Sequence, residues 1–216
     1  MSDQSRTTYP TERFKAFVDA VVAIAMTLLI LPLMEAVTEA ASGRLSTAEF
    51  YEEHAGQLLS FALSFLLIAT FWIGHHSQYR DVERVTGRLL LINVGWMATI
   101  VWLPVPTAML GQMHTDPLQA VTYIGTLILT QVTTLGGWLY LLRHPELTTM
   151  PESRLRTGAI GDAAAIVLFI VALAIAIFVT PIGYAALLIL LLNRPVARIL
   201  AHIVGGHSDQ ALQGHE

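Results

Sequence analysis

The uncharged runs of this chain limit its fold more than any other feature. Residues 20–34, AVVAIAMTLLILPLM, carry no charged side chain, and neither do residues 56–74, 89–110 and 118–142. An α-helix needs about 20 mostly apolar residues to cross a bilayer. A soluble domain carries roughly 25% charged residues. Here the figure is 13%, gathered in short clusters between the runs, against 54% hydrophobic residues and a mean hydropathy of +0.60. That is the layout of a polytopic, all-α membrane protein. The net charge of −4 offers no basic surface for nucleic acid. The absence of cysteine excludes disulfides, zinc–thiolate sites and thiol chemistry, and leaves the redox compartment undetermined.

The runs place six spans: about Phe17 to Leu33, Gly56 to Gly74, Leu89 to Leu110, Leu118 to Leu142, Ile160 to Val179, and a sixth from near Ile182. The strictly apolar part of the sixth stops at Asn193-Arg194; it can continue through VARILAHIV if the arginines reach to the interface. The first span is not expected to be a cleaved signal, because the polar segment before it is long and Asp19 sits inside it. With both termini inside, the inner segments hold Arg6, Arg13, Lys15, Arg80, Arg84, Arg88, Arg143, Arg154, Arg156, Arg194 and Arg198, leaving only Arg44 outside. This positive-inside asymmetry selects an even number of spans. The segment from about Glu35 to Glu53 is then an acidic outer loop. Residues 1–12 and 205–216 read as disordered tails flanking one six-helix membrane domain, 13–204.

No catalytic set is visible. The sequence holds no H-E-x-x-H, no G-x-S-x-G and no Gly-rich phosphate loop. His75 and His76 are adjacent, so on a helix they point about 100° apart and do not share a metal. An enzyme, a resident cofactor and a metal site are therefore not expected. The polar residues at membrane depth are more informative. Asp19 lies just inside the first span, with Lys15 four residues earlier on the same face; Arg13, six residues away, is on another. His75 ends the second span on the same inner side, so that Asp19, Arg13 and His75 can meet in space. Two readings stand: a structural clasp for a desolvated carboxylate, and a proton-sensitive switch. Asn93 reads as an interhelical hydrogen-bond partner, and Asp162 as an acidic residue at a helix N-terminus. In the first span Ile24, Leu28, Leu31 and Glu35 follow i, i+4, i+7, i+11, with Thr27 at the border. Periodicity alone leaves this stripe as lipid contact, packing or pore. Pro32 frees the carbonyl of Leu28.

Three segments carry a resemblance. RFKAFVDAVVAIAMTLLIL resembles the R-x-x-x-F-S-D signature and following helix of the endolysosomal potassium channel family, transmembrane protein 175. FALSFLLIATFWIGHH resembles its second helix, with the W-x-x-H ending, and LLLINVGWMATIVWLPVPTAML its third, with the L-x-N and the L-P-x-P exit. They occur in order across residues 13–110, whereas residues 118–204 match in span pattern only. The chain departs from the signature at Val18, where the family has serine. The resemblance implies six helices per repeat, a single repeat of bacterial type in a bacterial inner membrane, and a homotetramer whose first helices line a central pore. It implies a potassium-selective channel without a T-V-G-Y-G filter, potassium being the permeant ion. By position it makes Ile24, Leu28 and Leu31 the hydrophobic constriction. Thr27 and Glu35 are the polar residues beside it, and Arg13, Phe17, Asp19, Trp72, His75 and Asn93 the inner network that holds the first helix. The partners implied are other copies of the chain, lipid and monovalent cations. Proton conduction by the same architecture, and a non-conducting scaffold, are the competing readings.

Overall fold

In lipid a backbone N–H or C=O has no water to bind, so each apolar run must close its hydrogen bonds within itself, and the runs fold as helices. The computed structural model describes residues 8–114 and 116–178. Five stretches among them are long and apolar enough to cross a membrane: Thr11–Ser42, Ala55–Tyr79, Gly87–Gln112, Pro117–Arg143 and Glu152–Phe178. They correspond to the first five expected spans. The sixth lies outside the described residues.

The first stretch is two helices, α1 (Thr11–Leu28) and α2 (Leu31–Ser42). Pro32, second in α2, has no N–H to give to the carbonyl of Leu28. The chain closes a turn from the Ile30 amide to the Thr27 carbonyl at 3.3 Å, and helical bonding restarts from the Met34 amide to the Ile30 carbonyl at 3.0 Å. Packing runs through the break. Phe14, Val18, Val22, Ala25, Leu29, Leu33, Ala36 and Ala40 are all buried, and their spacing of three and four residues makes one stripe. The third stretch breaks the same way, into α5 (Gly87–Trp102) and α6 (Pro104–Gln112), at Leu103 before Pro104. α4 (Ala55–Tyr79), α7 (Pro117–Arg143) and α8 (Glu152–Phe178) are continuous. α7 lies between α5 and α8. It meets α4 closely at Gly137, where a Cβ would lie 2.6 Å from Tyr79 Oη and 2.7 Å from Gln78 Nε2.

One end of the bundle is tied by hydrogen bonds between segments far apart in sequence. β1 (Thr8–Pro10) pairs antiparallel with β2 (Arg84–Thr86). Thr11 Oγ1 donates to the Glu83 carbonyl at 2.6 Å, and Lys15 Nζ to the Arg80 carbonyl at 3.0 Å. The segment between the fourth and fifth stretches joins in. Val82 bridges Thr148, the Glu83 amide donates to the Leu147 carbonyl at 2.9 Å, and Arg154 Nη1 bonds Asp81 Oδ2 at 3.0 Å. The chain before the first span, the second-to-third connection and the fourth-to-fifth connection therefore lie on one side. That is the side to which the charge count assigns the arginines.

Four expectations change. Residues 8–12, read as part of a disordered tail, form β1 and the first residues of α1; three-residue strands are too short to leave a period in the sequence. The Glu35–Glu53 loop is largely helical: α2 runs to Ser42, and α3 (Thr47–Glu53) follows. The start of α3 is a capping box in which Glu49 Oε2 accepts from the Ser46 amide at 2.7 Å and Ser46 Oγ from the Glu49 amide at 3.3 Å. Asp162 is not at a helix N-terminus, because α8 begins at Glu152; it sits inside the helix against the Trp138 side chain. Finally, Lys15 turns from Asp19 to Glu12 and the Arg80 carbonyl.

Two outcomes are expected. Gly137→Ala should destabilise the bundle by about 1–3 kcal/mol through overpacking. Gly125→Ala, with nothing within 4 Å of the added carbon, should cost nothing; denaturation in detergent micelles compares them. The Ser46 bonds hold the Glu49 carboxyl below its ordinary 4.5. The α3 cap is thus intact above that value and lost as pH falls through the lowered one, which the Ser46 amide shift in a magnetic-resonance titration would follow.

Candidate functional site

α1 packs with one face and leaves the other uncovered. Arg13, Phe17, Ala20, Ile24, Leu28, Leu31 and Glu35 are all exposed, and their steps of three and four residues form one outward stripe, about a third of a turn from the buried one. Ile24 and Leu31 are 59% and 52% exposed within the protomer. The stripe crosses the helix break between Leu28 and Leu31. Thr27, beside it and also exposed, donates its hydroxyl to the Ile24 carbonyl at 2.7 Å. The proton is thereby used, and the oxygen lone pairs stay available. Aliphatic side chains are equally at home against lipid or a neighbouring helix. By itself the geometry therefore establishes a continuous exposed face from Arg13 to Glu35.

Behind α1 lies a hydrogen-bonded network. Trp72 Nε1 donates to Asp19 Oδ1 at 2.8 Å. One turn along α4, His75 Nε2 bonds Asn93 Oδ1 at 2.7 Å, and Asn93 Nδ2 donates to Tyr79 Oη at 2.9 Å and to the Leu89 carbonyl at 2.8 Å. The carbonyl can only accept, so it fixes which end of the Asn93 amide is nitrogen. His75 must then donate from Nε2, leaving Nδ1 as the ring atom able to take a proton. The His75 ring is held between Trp96, 4.2 Å away, and Tyr79, 4.5 Å away. Lys15, Val18, Asp19, His75, His76 and Tyr79 line one small crevice. Val18 is fully buried there, so an apolar side chain lines the crevice at the position of the signature serine.

Of the expected inner residues, Asp19, Trp72, His75 and Asn93 are brought together, and Arg13 and Phe17 are not. Six residues turn a helix by about 600°, so Arg13 lies on the outward stripe rather than beside Asp19, and Phe17 lies there too. Sequence reasoning missed Tyr79 and Trp96. The signal was present: Trp72, His75 and Tyr79 are spaced i, i+3, i+7, and Asn93 and Trp96 i, i+3, each set on one helical face.

Residues 13–104 match the family model described as the endosomal/lysosomal potassium channel TMEM175. A potassium channel of Streptomyces collinus is 34% identical over 103 residues, covering 46% of this chain and 47% of that one. The human endosomal/lysosomal proton channel TMEM175 is 31% identical over 152 residues, 65% of this chain and 30% of its own length. A potassium channel of Chamaesiphon minutus is 26% identical over 156 residues, 69% of this chain and 75% of that one. The chain thus spans about half the length of the first of these relatives and under a third of the human one. The stripe and the network both lie within the matched residues.

Asn93→Ala should strand the His75 Nε2–H and the Tyr79 hydroxyl in the core and cost about 2–4 kcal/mol. Trp72→Phe, at a half-exposed bond, should cost about 1 kcal/mol, and Arg13→Gln less than about 0.5 kcal/mol. Thermal unfolding of the three variants in detergent ranks them; an Arg13 effect as large as that of Asn93 would contradict the placement.

Proposed function

We propose that this chain, which over residues 13–104 belongs to the TMEM175 family, forms a potassium-permeable channel. Four copies pack around their first spans in a bacterial inner membrane, both termini inside, and Ile24, Leu28 and Leu31 form stacked aliphatic rings on the ion path. One observation carries the reading: α1 commits one face to its own bundle, while a second face, unbroken from Arg13 to Glu35, is exposed. The family match, and relatives named potassium channel, support reading that face as the lining of a central path rather than as lipid contact.

The physics follows from the side chains. A ring of aliphatic groups closes by dewetting. In a short dry zone, the cost of shedding water favours a weakly hydrated cation, and the sequence has no T-V-G-Y-G stretch to do this with carbonyls. Thr27 oxygens supply a polar contact one turn from Ile24, and Glu35 forms an acidic ring at the outer mouth that raises the local cation concentration. The break at Leu29–Ile30 falls between the Leu28 and Leu31 rings, where the missing proline hydrogen bond makes the helix least stiff. The Trp72–Asp19 bond opposes rotation of α1, which would carry Ile24 off the axis.

A second reading is favoured by a specific observation. The human relative is named a proton channel, and His75 and Asp19 share a crevice directly behind the stripe. Proton flux through the same architecture is the alternative, and the assay separates the two.

Purified protein in liposomes with a potassium gradient should carry flux above empty liposomes. Ile24→Asn should wet the narrowest ring and raise conductance about tenfold, the change that 1.4 kcal/mol off a barrier produces, while loosening selectivity. An unchanged conductance removes the stripe from the path. Flux that follows a pH gradient without potassium selects the proton reading, and a monomer by native mass spectrometry excludes the central pore.

A further inference from the structure

The arginines at the tied end of the bundle differ in what they hold. Arg80 pairs with Asp81, Arg154 with Asp81, Arg156 with Glu152, and Arg84 donates to the Glu146 carbonyl at 2.8 Å. Arg88 and Arg143 are exposed and make no ion pair or side-chain hydrogen bond among the described residues.

These two flank one seam. Arg88 opens α5 and Arg143 closes α7, and the helices are tied there by Thr86 Oγ1 and Tyr140 Oη, 2.8 Å apart. The seam itself passes through Gly95 and Gly136, whose added Cβ atoms would lie 3.6 Å from Thr133 Cγ2 and 3.8 Å from Ile92 Cγ2. Gly95 is seven residues after Arg88 and Gly136 seven before Arg143. On both helices the arginine therefore lies on the face that meets across the seam. The next turn of each helix toward the membrane centre presents an apolar side chain: Leu91 is 70% exposed and Leu139 40%. The α5 side chains that face the interior, Leu89, Asn93 and Trp96, are buried on a different face.

We propose that the inner-leaflet end of the α5–α7 seam binds an anionic phospholipid, with the Arg88 and Arg143 guanidinium groups on its headgroup phosphate and the Leu91 and Leu139 faces against its acyl chains. A guanidinium offers a planar fork of donors that matches phosphate oxygens two at a time. The two lie where the spans leave the apolar region, on the positive side of the protein, where headgroups sit. Uncovered apolar surface on the membrane side of both arginines suits a lipid and gives a free anion nothing. The site rests on the membrane-spanning fold alone and stands whether the stripe on α1 conducts or not.

The test uses the whole protein purified in detergent, incubated with an equimolar mixture of phosphatidylglycerol and phosphatidylcholine of matched chains, with retained lipid read by native mass spectrometry. The wild-type protein should retain phosphatidylglycerol preferentially. Arg88→Gln with Arg143→Gln should reduce that preference on the order of tenfold, and Arg156→Gln should leave it unchanged. Arg88→Lys with Arg143→Lys keeps the inner positive charge and should retain an intermediate preference. The proposal is overturned if the wild-type protein retains both lipids equally or the glutamine pair keeps the full preference. It is overturned equally if Arg156→Gln reduces the preference as much as that pair does, or if millimolar inorganic phosphate displaces the lipid completely.

Discussion

One face of α1 decides what the other can do. Phe14, Val18, Val22, Ala25 and Leu29 are buried against the rest of the bundle, and the stripe continues through Leu33, Ala36 and Ala40 on α2. A helix anchored along this length has no freedom to rotate, so the residues about a third of a turn away point outward as a set. Ile24, Leu28, Leu31 and Glu35 owe their alignment to this packing, not to any bond of their own. The hydrogen bond from Trp72 to Asp19 fixes the same rotation from the inner end. With the bonds from Thr11 and Lys15 to the Glu83 and Arg80 carbonyls it gives directional contacts to a helix otherwise packed by apolar side chains, and apolar contact alone tolerates sliding.

The second constraint is sidedness. Two unrelated observations single out the same end of the bundle: the positions of the arginines, and the hydrogen bonds that knit β1, the Asp81–Thr86 segment and the Leu147–Thr149 segment together. Charge sets the direction in which the spans insert, and the bonds hold their ends afterwards. The Asp19–Trp72 and His75–Asn93–Tyr79 contacts sit just above this knot, close to where the connections are tied together. Helix breaks lie toward the other end, at Leu29–Ile30 and Leu103, each beside a proline.

Much of the architecture was legible residue by residue. A run without charge has one solution in lipid, so the first five spans were readable, including the third with its Pro104 and Pro106. The Ile24–Leu28–Leu31 stripe was readable because the helical period is fixed, and Asn93 because a lone amide in an apolar helix needs a partner. The places that escaped were those where the partner is distant in sequence or the element is short. The β1–β2 pair spans three residues a side, α2 carries an acidic face that reads as loop, and the turn of Lys15 toward the Arg80 carbonyl depends on where a connection 65 residues away comes to rest. Asp162 was misread because the polar first turns of α8, ESRLRTG, look like a connection until the helix is seen to start at Glu152.

Hydrophobic length, charge asymmetry and helical period are local properties, so the residues alone set that this chain spans a membrane, that its cations gather at alternate ends of the spans, and which α1 residues share a face. Helix packing is what puts Arg13 and Phe17 with the outward stripe while Asp19, Trp72, His75 and Asn93 close behind it. It is also what makes Val18 a core residue lining the crevice that Asp19 and His75 share, and sets Arg88 and Arg143 beside one seam. These are relations between helices, set by how buried faces interlock, and no single run of residues contains them.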